Sequence, residues 1–510
     1  MLLDRHGAPA HAPADDAQAL LEEARARARR RWWRRLAVGL ALATIAATVA
    51  VVFGGTAGPR LVRVADGGPS VDARAFSGHG ELAFVSHDAL WVLADGRVRR
   101  VFAPRGTVPG QPAFSPDGRG LAYVTSVSEG GSLTPTRLWV ARADGADARR
   151  LATGIDYGFA WSPTADRLEV LIGQPDPSRL EVISASGATR TILAVDVGRP
   201  IPKVIIWDAL WSPDGTRLAV SSTIDGVSLI RSYPLSGGRP TTWYRIAASQ
   251  RLRGICGGCG GREVTPQLAG WWPRWGIAFW VFSSGATREL DGSWVGVVAR
   301  PGAPLKLLAQ TLPYGEMLAP GRGGRLAVVA NSTNRVIGAG KTVEDCAART
   351  LTCRALPGAS IWSGPNPQRC PFGSCSKLPQ PGDPGSAVTL EPAWSPDGSL
   401  LAYVKGPLVF SSSPTRAWYG KHELLVWDAA ADTTTRLAAI GADAPVWSAD
   451  GRDLLYVAGN GLWMVPVSGG RPVEIEDPLL PSDWQAGFVY DFYGEVFWDQ
   501  QFSWFSGPRS

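Results

Sequence analysis

The chain has 510 residues, among them 60 glycines, 40 prolines and 22 tryptophans. That richness in turn formers and aromatics, without low-complexity tracts, excludes a disordered or collagen-like chain and points to many short strands joined by turns. Of the formal net charge of +6, half lies before residue 36, where eight arginines face five carboxylates, so the rest is close to balanced and a nucleic-acid surface is excluded.

Residues 1–35 form a basic segment ending in RARARRRWWRR. Residues 36–53 (LAVGLALATIAATVAVVF) are an uncharged stretch at the lower limit for crossing a bilayer as a helix. Arginines before the stretch, with Trp32 and Trp33 at its edge, place the N-terminus in the cytoplasm and the rest outside. A cleaved signal peptide is the competing reading, against which the 35-residue charged preamble argues. The expected division is therefore 1–35 cytoplasmic, 36–54 a single-pass transmembrane signal anchor of the cell membrane, 55–71 linker and 72–510 one extracytoplasmic domain.

That domain is dominated by a recurring phrase. FSPDG stands at 114–118, WSPDG at 211–215 and 394–398, and WSADG at 447–451, each followed by an apolar strand such as LAYV at 121–124. Serine, proline, aspartate and glycine in that order suit the four positions of a type I turn, with glycine taking the left-handed residue. A third strand follows, such as LWV at 138–140, then a second turn (ADG at 143–145) and a fourth strand. The aromatic before each turn is expected to end the inner strand and wedge between neighbouring sheets. The copies at 76–85 and 161–170 keep most of the frame; those at 271–281 and 318–329 keep only its shape. A period of roughly 40–60 residues built from short strands predicts an all-β propeller of four-stranded blades. Eight copies are counted, with seven blades the alternative if one is an insertion. The tail at 488–504 alternates aromatic and polar residues and is expected to close the ring against the first blade, which removes a free sheet edge.

The order of SPDG turn, apolar strand, LWV strand and DG turn resembles the WD-like repeats of TolB-type propellers from about residue 73 onward. The resemblance implies the propeller fold in the cell envelope. The repeat is shared by translocation proteins, peptidase propellers and many other envelope proteins, and the α/β domain that precedes the propeller in TolB has no room here.

Six cysteines lie in this domain, and their close spacing predicts three local disulfides in an oxidising compartment: Cys256 with Cys259, Cys346 with Cys353, and Cys370 with Cys375. The CGGC of the first pair admits a metal or redox reading, but its loop setting favours a bridge. Trp271, Trp272, Trp275 and Trp280 cluster more densely than the repeat requires and are a candidate binding surface, against the plainer reading of blade packing. The stretches 247–270 and 356–391 read as insertions where partner contacts would sit. No nucleophile elbow, phosphate loop, H-E-x-x-H or dinucleotide fingerprint occurs. His79 and His87 fall in turns, and Asp117, Asp214, Asp397 and Asp450 occupy identical turn positions that favour capping over calcium binding. No cofactor is expected. These features predict a non-catalytic, membrane-anchored scaffold for an envelope protein or peptide. An enzyme with its site in the central funnel, a lyase or metal-assisted lactonase, is the alternative.

Overall fold

The computed structural model describes residues 61–507 except 65–67, 127, 130–131, 134–135, 174–178, 195–203, 226, 248–263, 284–292, 331–340, 357–386, 408–415, 439–440 and 480–497. Residues 36–53 and the pairs Cys256–Cys259 and Cys370–Cys375 lie outside the described residues. Among those described, no helix is long and apolar enough to cross a membrane.

The architecture is a β-propeller of antiparallel sheets, each named here by a residue at or next to the end of its inner strand. Four sheets are four-stranded meanders in chain order: Val204–Trp211 to Thr241–Ala247, Val264–Trp272 to Lys306–Thr311, Leu318–Gly321 to Thr352–Ala355, and Ala387–Trp394 to Thr433–Ala438. These are the Trp211, Trp271, Gly321 and Trp394 blades. A seven-stranded sheet holds two such sets, the Phe114 and Trp161 blades, because Arg149–Trp161 is the outer strand of one and the inner strand of the next. A register shift between Ile155 and Phe159 marks the hand-over.

The two ends of the chain are both stitched into the ring. In the Phe505 blade the inner strand is Phe502–Phe505 from the C-terminus, paired with Glu81–Ser86 from the N-terminal side. The tail thus closes the ring as expected, through its last strand. The stretch 55–71, expected as linker, contributes strands Val62–Arg63 and Ser70–Val71; Ser70 and Val71 pair with Asp477 and Glu476 on the outer edge of a further meander, Ala442–Trp447 to Val473–Asp477, the Trp447 blade. The expected insertions are also shorter than read: Val264–Trp272 and Ala387–Trp394 are inner strands.

The turns match their sequence. The Ser115 carbonyl accepts the Gly118 N–H at 2.9 Å, and Gly118 has φ 68°. Asp117 Oδ1 accepts from the Ser115 hydroxyl at 2.5 Å and from the Arg119 N–H at 3.0 Å. Asp214, Asp397 and Asp450 repeat this pattern. These hydrogen bonds hold Asp397 down at about 2.

The wedge aromatics do more than fill space. Trp161 Nε1 donates to the Ala113 carbonyl at 2.9 Å, Trp211 Nε1 to Ala160 at 3.1 Å and Trp447 Nε1 to Ala393 at 2.8 Å. Each indole therefore bonds the residue just before the aromatic of the previous blade. Trp394 departs from the rule because the blade before it ends in Gly321, whose missing Cβ would lie 2.9–3.0 Å from the indole ring. The Trp394 N–H has no acceptor. The Arg325 guanidinium, held by Asp345, instead stacks 4.4 Å from the Trp394 ring centroid. Trp447→Phe is expected to cost about 1–2 kcal/mol by stranding the partly buried Ala393 carbonyl, and Trp394→Phe about 1 kcal/mol less. Urea denaturation of both variants measures the difference; equal losses would refute the role given to the indole bond.

Candidate functional site

The inner strands carry the groups nearest the propeller axis. Six of them break register near the middle, between Gly110 and Ala113, Ile155 and Phe159, Ile206 and Asp208, Leu268 and Gly270, Leu390 and Ala393, and Asp443 and Val446. Such bulges re-aim a side chain away from the regular pleat. Gln111, Glu391 and Ala444 sit there with φ of 54°, 52° and 50°. Proline follows each of the three and cannot donate to the ladder, which suits a break in it.

Gln111, Gly158, Asp208, Leu268, Glu391 and Ala444 all stand three residues before their blade's wedge aromatic. Along this column, one blade supplies an acceptor and the next a backbone donor. Glu391 Oε2 accepts the Ala444 N–H at 2.6 Å. Asp208 accepts the Leu268 N–H, and Oδ1 takes that of Ala209 at 2.8 Å. The Gln111 carboxamide covers Gly158, where a Cβ would approach its Oε1 to 3.2 Å. Asp208 and Glu391 thus act as blade-to-blade latches, and Gln111 packs across the equivalent seam.

Both latches are titratable. Burial pushes Asp208 up to about 7, against the two backbone donors that lower it. Part of the Asp208 surface remains accessible, but the protein packed around the carboxyl is what decides its ionisation. Beside it Glu169, on the neighbouring blade, is raised well above the usual carboxylate range by burial and by the Asp208 charge. Burial likewise raises Glu391, reinforced by Asp443 and Glu316. Next to Glu391, Asp443 Oδ1 and His422 Nδ1 are 2.6 Å apart, with both side chains almost wholly enclosed. Trp418 packs edge-on to the His422 ring at 4.2 Å, and Nε2 lies against Gly406, where a Cβ would come within 2.6 Å, with no hydrogen-bond partner. Chemically this set can fix an imidazole; among the described residues, no hydroxyl or thiol is bonded to it. Among the described residues, no three His, Cys, Asp or Glu side chains converge as metal ligands would.

The other residues singled out by sequence are scattered. Trp275 and Trp280 are core residues between the Trp271 and Gly321 blades, and only Trp271 and Trp272 keep partial exposure, so the four do not share one open face. Trp271 meets Trp243 edge-on at 5.1 Å. Cys346 and Cys353 are cross-strand neighbours joined by a disulfide. His79 lies 3.3 Å from Asp453, and His87 forms a tight hairpin with Asp88, both at positive φ. Sequence reading counts His422 among three histidines beyond the apolar stretch without giving it a role, and does not single out Asp208, Glu391 or Asp443. The fixed offset from the wedge aromatic was the signal that finds Asp208 and Glu391.

No family model matches the chain, and no curated protein matches it. Among solved structures it is similar to dipeptidyl peptidase 4 of Porphyromonas gingivalis, at 11% identity over 82% of this chain and 59% of that one, with a TM-score of 0.48. It is also similar to an oligogalacturonate lyase in complex with manganese, at 14% identity over 80% of this chain and 99% of that one, with a TM-score of 0.41. A third likeness is the propeller domain of the trilobed protease from Pyrococcus furiosus, at 9% identity over 72% of this chain and 98% of that one, with a TM-score of 0.38. The likenesses concern the propeller fold and not activity.

Proposed function

We propose that this chain is an eight-bladed propeller of TolB-like repeats, anchored outside the cytoplasmic membrane by residues 36–53, which binds a protein or peptide partner without transforming it. The count takes the seven-stranded sheet as two blades and gives one blade to each remaining large sheet.

The observation that carries the binding role is how the connections are divided. The inner strand of each blade runs toward its SPDG-type turn, so connections between first and second strands and between third and fourth strands share one face. Within a blade, no connection on that face is longer than 299–305; the link between the first and last blades, 72–80, also lies there. The extended ones, at 195–203, 248–263, 284–292, 331–341 and 356–386, join the strand ends of the opposite face. A rigid disc presenting its long connections on one side suits recognition, because little of the scaffold must be ordered on binding. The buried acids and His422 serve blade-to-blade contacts, which favours binding over chemistry.

In-cell cross-linking of the full-length chain, compared with a variant in which 357–386 is replaced by a short linker, tests this. An envelope protein captured by the first and lost from the second supports the reading. Equal capture by both, or none, overturns it in favour of a small ligand at the axis.

A further inference from the structure

The opposite, short-turn face is not uniform. Where the SPDG phrase or its DG counterpart survives, turn arginines stand beside carboxylates: Arg119 is 3.9 Å from Asp117, Arg142 is 3.6 Å from Asp144 and Arg452 is 3.7 Å from Asp450. The Trp271 and Gly321 blades have lost those aspartates. Their four turns read PRW (273–275), ARPG (299–302), GRGG (321–324) and AART (347–350), with one arginine each and no acid.

Arg274, Arg300, Arg322 and Arg349 are all exposed, as is Arg239 in the outer turn of the preceding blade. None makes an ion pair among the described residues. Asp397 and Asp450 border the arc, lining with Arg322 a hollow of about 220 Å³. The arc is continuous across two blades: Arg274 Nη1 donates to the Gly323 carbonyl at 2.7 Å, and Arg274 Cδ lies 3.1 Å from where a Gly324 Cβ would stand. The half-exposed Trp271 and Trp272 and the exposed Pro273 precede Arg274 in the same turn.

A second observation gives this face its neighbour. Val473–Asp477 rises from the short-turn face; Ser70–Val71 runs antiparallel to it, and Val62–Arg63 antiparallel to that in turn. Val62, opposite Val71, is therefore nearer the short-turn face than Arg63, and Leu61 enters the strand from that side. Only residues 54–61 separate it from the apolar stretch 36–53, a reach of about 28 Å at full extension.

We propose that the arginine arc of the Trp271 and Gly321 blades docks on anionic lipid headgroups of the membrane that carries the chain, turning the long-connection face outward. The proposal rests on the anchored reading of residues 36–53. Arginine forks match phosphate oxygens, and partly exposed tryptophans suit the boundary between headgroups and acyl chains. Attraction to a negative surface acts within a screening length and is weakened by salt.

The test uses the full chain in nanodiscs of phosphatidylcholine alone or with added phosphatidylglycerol, reading amide hydrogen exchange in turns 271–276, 299–305, 321–325 and 347–352. Exchange is expected to slow by about tenfold in the anionic discs, to recover at about 0.5 M salt, and not to slow in the R274A/R300A/R322A/R349A variant. A chain that stays with the discs yet exchanges equally in both overturns the docking alone. A chain that leaves both discs overturns the anchored reading beneath it. Protection by soluble polyphosphate in phosphatidylcholine discs, with none from anionic lipid, overturns the lipid assignment in favour of a free polyanion.

Discussion

Truncation after Gln501 is expected to remove the inner strand of the Phe505 blade and to abolish the cooperative unfolding of the ring. Four residue pairs from Glu81↔Phe505 to Phe84↔Phe502 are lost, together with the bond from Trp504 Nε1 to the His79 carbonyl at 2.7 Å. Phe502 is buried, and Phe505 packs so closely over Gly118 that a Cβ there would come within 2.1 Å of its ring. Loss of one buried aromatic alone costs about 3–5 kcal/mol. The stranded backbone of Glu81–Ser86 adds to that and leaves a bare edge. Calorimetry of the truncated chain should show a broadened transition roughly 5 °C lower, since a ring of this size shifts by about 1 °C per kcal/mol. An unchanged, single sharp transition would show that the C-terminal strand does not close the ring.

Asp208→Asn is expected to flatten the dependence of stability on pH between about 4 and 7. The carboxyl titrates near 3.8 when exposed and is pushed up to about 7 in the fold. Below 3.8 both states hold the proton and the group is neutral to stability. Between the two values the folded state keeps a proton that the unfolded state has released, so stability falls as pH rises; above about 7 the loss is constant. The full difference is on the order of 4 kcal/mol, since each unit of displacement is about 1.4 kcal/mol. Asparagine keeps an acceptor for the Leu268 and Ala209 N–H groups and cannot ionise. Urea midpoints at pH 5 and pH 7.5 should therefore converge in the variant relative to the parent. If the two proteins lose stability in parallel, the carboxyl is not buried as described.

What the sequence made legible follows from where its information is local. The SPDG turns, their capping aspartates and the aromatic that ends each inner strand are set by neighbours within five residues, and the structure places them as read. The double use of Arg149–Trp161 was invisible because nothing in its composition tells an outer strand from an inner one. The strands at 62–63 and 70–71 were missed for a related reason: two-residue strands carry no period. His422 and Asp443 meet only because adjacent blades pack, and they are 21 residues apart. Degenerate turns taught the converse. GRGG at 321–324 reads as a weak copy, yet its lost aspartate and gained arginine make the face where it lies chemically distinct.

The two stitches at the chain ends also differ as load-bearing seams. Tension applied through the N-terminal side reaches the propeller at its rim, across ladders of two residues each, Val62–Arg63 against Ser70–Val71 and those against Glu476–Asp477. The seam that closes the ring lies at the hub, four residues long, with Phe76 packed against its Trp504. In a series of links the shortest ladder yields first, so a pull on the tether strips the rim hairpin while the disc stays shut. Under the anchoring proposed above, the rim strands would act as a mechanical fuse that decouples the strain of attachment from the integrity of the ring.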